Sequence, residues 1–148
     1  MQELHGFHSK YSREKAISIE PRVYATQGEK ICLEFLPLNP KATDYKWEDW
    51  HCYRSILTIF REDYERLLIP YFIKIFPTLD PTNGKIQDFM DVCFDNWIGK
   101  EAWIKWLFLI QEDVQQKSNQ EQGFYQEVCT WIMTVLTQTD VIVVDGNL

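Results

Sequence analysis

Asp140-Val141-Ile142-Val143-Val144-Asp145-Gly146 is the stretch that decides the fold class. Four consecutive β-branched residues suit a pleated strand, and no polar residue alternates with them. Such a run predicts a short strand buried on both faces. Its N–H and C=O groups then need ladder partners. The other strand signals lie near the N-terminus. From 15 to 26, Ala16, Ile17, Ile19, Val23 and Tyr24 precede Gln27-Gly28, and Ile31, Leu33 and Phe35 follow it within 29 to 36. Alternation around a glycine-containing turn predicts a β-hairpin, with Pro21 placing its first strand at an edge or at a bulge. The C-terminal strand is expected to pair with that hairpin.

Between these strands the apolar residues follow a helical period, so the expected class is α+β, with about five α-helices forming the bulk. Asp44 is placed to cap a first helix with Trp47, Trp50, Tyr53, Ile56, Leu57 and Phe60 inward. Tyr64, Leu67, Leu68, Tyr71, Phe72 and Ile75 define a second, which Pro70 must kink or restart. Ile86, Phe89, Met90, Cys93, Phe94 and Trp97 predict a third, stopped by Gly99. Gly99 caps a fourth, with Trp103, Trp106, Leu107 and Ile110 inward. Gln111 to Gln122 reads as a loop. In it, Ser118 and Glu121 have capping-box spacing and announce a fifth helix, which buries Phe124, Val128, Trp131, Ile132, Val135 and Leu136.

The chain of 148 residues fits one domain, 1–148, with residues 1–14 a loose polar arm. Pro77 to Gly84 is short enough to be a connection within that domain. Apolar residues make up 45% of the chain and aromatics 15%, which excludes disorder. The net charge of −7 is unevenly placed. Residues 1–76 balance eleven acids with eleven bases, whereas 77–148 set eleven acids against four bases. An acidic half repels phosphate and favours a basic protein partner over nucleic acid. Cys32, Cys52, Cys93 and Cys129 form no C-x-x-C pair, and no secretory signal follows Met1, so buried reduced thiols in the cytoplasm are expected. The longest apolar stretch, Leu67 to Phe76, is about half a membrane span.

No catalytic motif is present: there is no G-x-S-x-G, no H-E-x-x-H and no glycine-rich phosphate loop. His5, His8 and His51 lack a four-ligand pattern, so neither a metal nor a cofactor is expected. The carboxylates are more informative. Asp88, Asp91 and Asp95 fall at offsets 0, 3 and 7, and on a helix would line one side over about 10 Å. A solvated face is the ordinary reading of such a stripe. A divalent-metal site is the least favoured, because one helix supplies a single wall of a coordination sphere. The third reading is a protein-binding surface that meets phosphate-binding arginines or lysines, extended by the acidic pairs Glu62/Asp63 and Glu112/Asp113. Six tryptophans also exceed the obvious needs of so small a core, and tryptophan is enriched at binding hot spots.

Phe94-Asp-Asn-Trp-Ile-Gly-Lys-Glu-Ala-Trp103, with the ending from Trp131 through Val141-Ile-Val-Val144 to Leu148, resembles small bacterial immunity proteins of contact-dependent growth inhibition and polymorphic toxin systems. The resemblance covers the C-terminal half and rests on its short, acidic, tryptophan-rich α+β texture. It implies a cytoplasmic, non-enzymatic protein that binds a toxin domain, often a nuclease, and blocks its active site. Two other functions stay open: a phage-type acidic inhibitor of a nucleic-acid-binding defence enzyme, and an enzyme with an unrecognised site.

Overall fold

A computed structural model of the chain describes residues 6–8 and 16–148. Its elements in order are β1 (Ile17–Ile19), β2 (Cys32–Pro37), β3 (Ser55–Phe60), a continuous helical run α1 (61–75), β4 (Thr78–Leu79), β5 (Ile86–Gln87), β6 (Asp95–Gly99), α2 (Lys100–Asp113), α3 (Asn119–Leu136) and β7 (Val141–Gly146). Five strands form one sheet in the order β1-β3-β2-β7-β6, and β4 and β5 pair separately. Only β1 and β3 run parallel; the other neighbours in the sheet are antiparallel.

β7 is flanked on both edges, by β2 and β6. Its residues alternate between two apolar clusters. Ile142 and Val144 join Leu33, Phe35, Leu57, Ile59 and Ile98 under the helices. Val141 and Val143 join Leu36 and Ile56 on the opposite face, where Leu38 and Trp50 from the segment between β2 and β3 cover them. The expected α+β class, the two-faced burial and the pairing of the C-terminal strand with 32–37 are therefore all present.

The N-terminal pairing is corrected. β1 and β2 are not neighbours: β3 lies between them, with Leu57 opposite both Ile19 and Phe35. Residues 55–60 were expected to end a first helix. They form a strand, paired by β1 on one edge and β2 on the other, and five of the six are buried, as suits the interior of a sheet covered on both faces. What remains of that helix is one 3₁₀ turn, Trp47–Trp50, where Asp49 rather than Asp44 bonds the N–H of Lys46 at 3.0 Å. The third expected helix is also absent. Residues 86–97 give β5, a loop and the start of β6. Buried Asn96 organises that loop: its Nδ2 donates to the carbonyls of Asp91, Phe94 and Val144, and its Oδ1 accepts from the N–H of Asp91. Such local side-chain bonds compete with a helical ladder.

Three helices remain, and their faces match the periodicity. All six expected residues of α1, four of α2 and six of α3 are buried. Pro70 follows a wide π stretch, Tyr64–Leu68, after which α-helix resumes at Ile69–Ile75. Gly99 and Ser118 are the N-caps of α2 and α3, with Ser118 Oγ accepting from Glu121 N at 3.2 Å. The expected loop 111–122 shrinks, since α2 runs to Asp113 and α3 begins at Asn119. Most of the expected loose arm lies outside the described residues, but Phe7 within it is buried and edge-stacked on Tyr53.

Asp63 fixes the long connection between β1 and β2. Its carboxylate, fully buried, accepts from the N–H groups of Val23, Tyr24 and Ala25 at 3.1, 2.7 and 3.4 Å. Gly146 permits another close approach, because a Cβ there would collide with the Val92 carbonyl and the Leu33 side chain. Removing the carboxylate orphans buried donors, so Asp63→Ala should destabilise the protein by about 3 kcal/mol, and Asp63→Asn by less, in chemical denaturation. Gly146→Ala should lose about 1–3 kcal/mol through overpacking against backbone that has no room to yield. Stabilities equal to the parent chain would refute these roles.

Candidate protein-binding surface

Residues 78–95 lie against the β6 edge of the sheet, where Gln87 Nε2 donates to the Trp97 carbonyl at 2.8 Å and Gln87 Oε1 accepts from its N–H at 3.3 Å. This segment exposes its large apolar side chains. Leu79 and Ile86 face each other across the β4–β5 ladder at 58% and 67% exposure, while Phe89 and Phe94 are 69% and 65% exposed. Ile73 of α1 shares a cleft with Phe89, and Ile104 of α2 shares a groove with Leu79, so the apolar surface continues onto both helices. Residues 77–99 also contain four aspartates against one lysine. Apolar side chains at this exposure, with carboxylates in excess around them, mark an interaction surface.

The seven candidate carboxylates separate by what they touch. Asp88, Asp91 and Asp95 share no helical face, since no helix forms there. Asp88 is exposed beside the Phe89 cleft. Asp91 is half-buried and accepts from Cys93 N at 3.0 Å, holding the loop. Asp95, exposed at the start of β6, accepts from the Trp97 indole N–H at 2.7 Å. Glu62 is exposed and pairs with Arg66 at 3.0 Å, whereas its neighbour Asp63 is the buried clasp. Glu112 is exposed, and Asp113 accepts from the Tyr71 hydroxyl at 2.9 Å.

Sequence reasoning missed a second acidic feature. Glu34, Asp145 and Asp95 are directly opposite one another on three adjacent strands, on the face away from the helices. Like charges in opposed register disfavour a sheet. Pairing register, which sequence spacing does not encode, creates this row. Phe89 and Phe94 were expected to face inward on a helix, and only the loop turns them outward.

Among the described residues no group of three or more His, Cys, Asp or Glu side chains could hold a metal ion. His51 is buried and stacked on Trp47 at 3.8 Å, with its Nδ1 2.7 Å from the Trp47 carbonyl. Cys52 and Cys129 are buried, Cys32 is half-buried and Cys93 is exposed, which corrects the expectation that all four are buried. Burial pushes the Cys129 thiol up to about 12 and raises that of Cys52, so neither is an activated nucleophile. Burial likewise pushes the Tyr64 phenol up to about 12; for Tyr71 burial, then its bond to Asp113, has the same effect. No helix among the described residues is long and apolar enough to cross a membrane. No family model, no curated protein and no solved structure matches the chain.

These raised values mean that the fold favours the protonated thiol and phenols. Their stabilisation is complete below the unfolded values, 9.0 for Cys129 and 10.0 for the tyrosines, and is lost as pH rises toward about 12. Stability should therefore fall between pH 9 and 12, with the ionisation of Tyr64 and Tyr71 accompanying unfolding. Ionisation of these two phenols near 10 in a still-folded protein would contradict this.

Proposed function

We propose that this chain is an immunity-type inhibitor, a cytoplasmic protein that binds a basic toxin domain of the nuclease class and covers its active site stoichiometrically. The observation that supports this reading best is the surface of residues 78–95. It places exposed Phe89 and Phe94 among aspartates, beside the edge of a rigid sheet. Apolar anchors inside a charged rim are what a tight, selective protein interface requires. A nuclease domain evolved to hold phosphate offers the complementary charge. The acidic half of the sequence and the resemblance to immunity proteins point the same way. Of the expected carboxylates, Asp88 and Asp95 serve the interface best, because both are exposed beside Phe89 and Phe94, whereas Asp63 is buried and Asp91 and Asp113 are half-buried.

Affinity capture from the native cell with mass spectrometry should recover a basic protein, and co-expression should protect cells from it. Phe89→Ser with Phe94→Ser should leave stability within about 0.5 kcal/mol, since both rings are exposed, yet weaken binding by about 2 kcal/mol or more. Asp88→Lys with Asp95→Lys should weaken binding most at low salt. Variants that bind and protect like the parent chain would remove this surface from the function.

A further inference from the structure

A cleft of about 330 Å³ opens between α1 and the loop after β5. Its walls are the apolar side chains Phe72, Ile73, Phe76, Phe89 and Met90, and among the described residues Asp88 is the one charged group lining it. Two of the walls, Ile73 and Phe89, are more than two-thirds exposed, so apolar surface stays in contact with water there. Tyr64 also lines the cleft, from the π stretch of α1, although its side chain is only 5% exposed. Its ring packs against Phe72 at 5.9 Å, but its hydroxyl has no hydrogen-bond partner among the described residues. That hydroxyl is not sealed in the interior either, unlike the Trp106 indole N–H. A phenol hydroxyl open to solvent at the wall of an apolar cleft can exchange a water for a polar group of a bound partner. π stretches within α-helices recur at functional positions, and this one sets Tyr64 into the cleft wall.

We propose that the cleft receives one large apolar side chain of a protein partner, next to an arginine or lysine that meets Asp88. Tyr64 Oη would bond the partner's backbone there. The apolar walls call for an apolar anchor. The cation follows from charge complementarity, because residues 77–99 hold four acids and one lysine. The proposal rests on the inhibitor reading and deepens it by naming the anchor and where it sits.

The test uses the full chain with two defined probes, N-acetyl-phenylalanyl-arginine amide and N-acetyl-phenylalanyl-glutamate amide, followed by methyl NMR. The arginine probe should shift the Ile73 and Met90 methyl signals saturably, and the glutamate probe should bind roughly fivefold more weakly. Tyr64→Phe should weaken the arginine probe about fivefold while leaving the thermal midpoint unchanged, because no intramolecular bond is lost. Asp88→Asn should weaken it about threefold and erase the preference between the probes. Absent shifts at Ile73 and Met90, equal affinity for the two probes, or a lowered midpoint in Tyr64→Phe would each overturn the proposal. The two readings fail separately. A captured toxin whose interface avoids Phe89 and Tyr64 sinks the cleft and spares the inhibitor. Probe binding in the cleft, with no basic partner captured, spares the cleft and sinks the inhibitor.

Discussion

The architecture depends on the requirement that β7 be covered on two faces and bonded on two edges. A strand reading Val-Ile-Val-Val has no face that tolerates water, and left at an edge it would offer an apolar template for pairing with another chain. β2 and β6 satisfy its edges, and the helices and the 38–53 segment satisfy its faces. Once β7 is interior, β6 becomes the edge strand on that side and β1 the edge on the other. The 78–95 segment is the part of the chain that borders the β6 edge, and Gln87 ties it there through the backbone of Trp97. The position of the candidate surface thus follows from the hydrophobicity of a strand that takes no part in it.

Helices with one wet face were legible from spacing alone. α1, α2 and α3 bury the expected residues because a single apolar stripe against a sheet leaves a clean 3.6-residue period. β7 was legible for the opposite reason, having no period at all. The errors fall where two signals coincide. Ile56, Leu57 and Phe60 fit a helical face, and the intervening Thr58 and Ile59 are just as buried. Only the solid burial of β3 separates the readings, and that depends on a sheet whose other strands lie far away in sequence. At 86–97 the helical offsets were coincidental. Asn96, buried at the end of the loop, satisfies two carbonyls that a helix would have bonded internally, those of Asp91 and Phe94, together with the Val144 carbonyl of β7, and no local pattern announces a role of that kind. Asp63 is similar: its three N–H partners lie about forty residues earlier in the chain.

The loop at 88–94 decides what the site is made of. On a helix, Phe89 and Phe94 would have been core, and three aspartates would have formed a straight stripe. In the loop the aromatics turn outward and the aspartates diverge, one to the cleft, one into the loop and one to an indole. The surface therefore gains apolar anchors and loses regular charge spacing. That exchange bears on the alternatives. A DNA mimic needs carboxylates at phosphate-like intervals, whereas an inhibitor of one protein needs anchors with charges set around them. Here the irregular spacing and the exposed rings belong together, and they favour the second design.

Tyr64 shows how the fold and the surface are coupled. Its ring is needed by the core, where it packs on Phe72, which in turn meets Trp103 and Trp106 at 6.0 and 5.3 Å. The nearby Tyr125 hydroxyl is spent on the Leu67 carbonyl at 2.7 Å, within the same π stretch. The Tyr71 hydroxyl is spent on Asp113. Core tyrosines in this protein are therefore satisfied wherever a partner is in reach, as the cost of burying a hydroxyl demands. Phenylalanine at position 64 would fill the same volume without the polar atom. The phenol there is open to solvent at the wall of an apolar cleft, so the ring serves the packing and the hydroxyl is left to the surface.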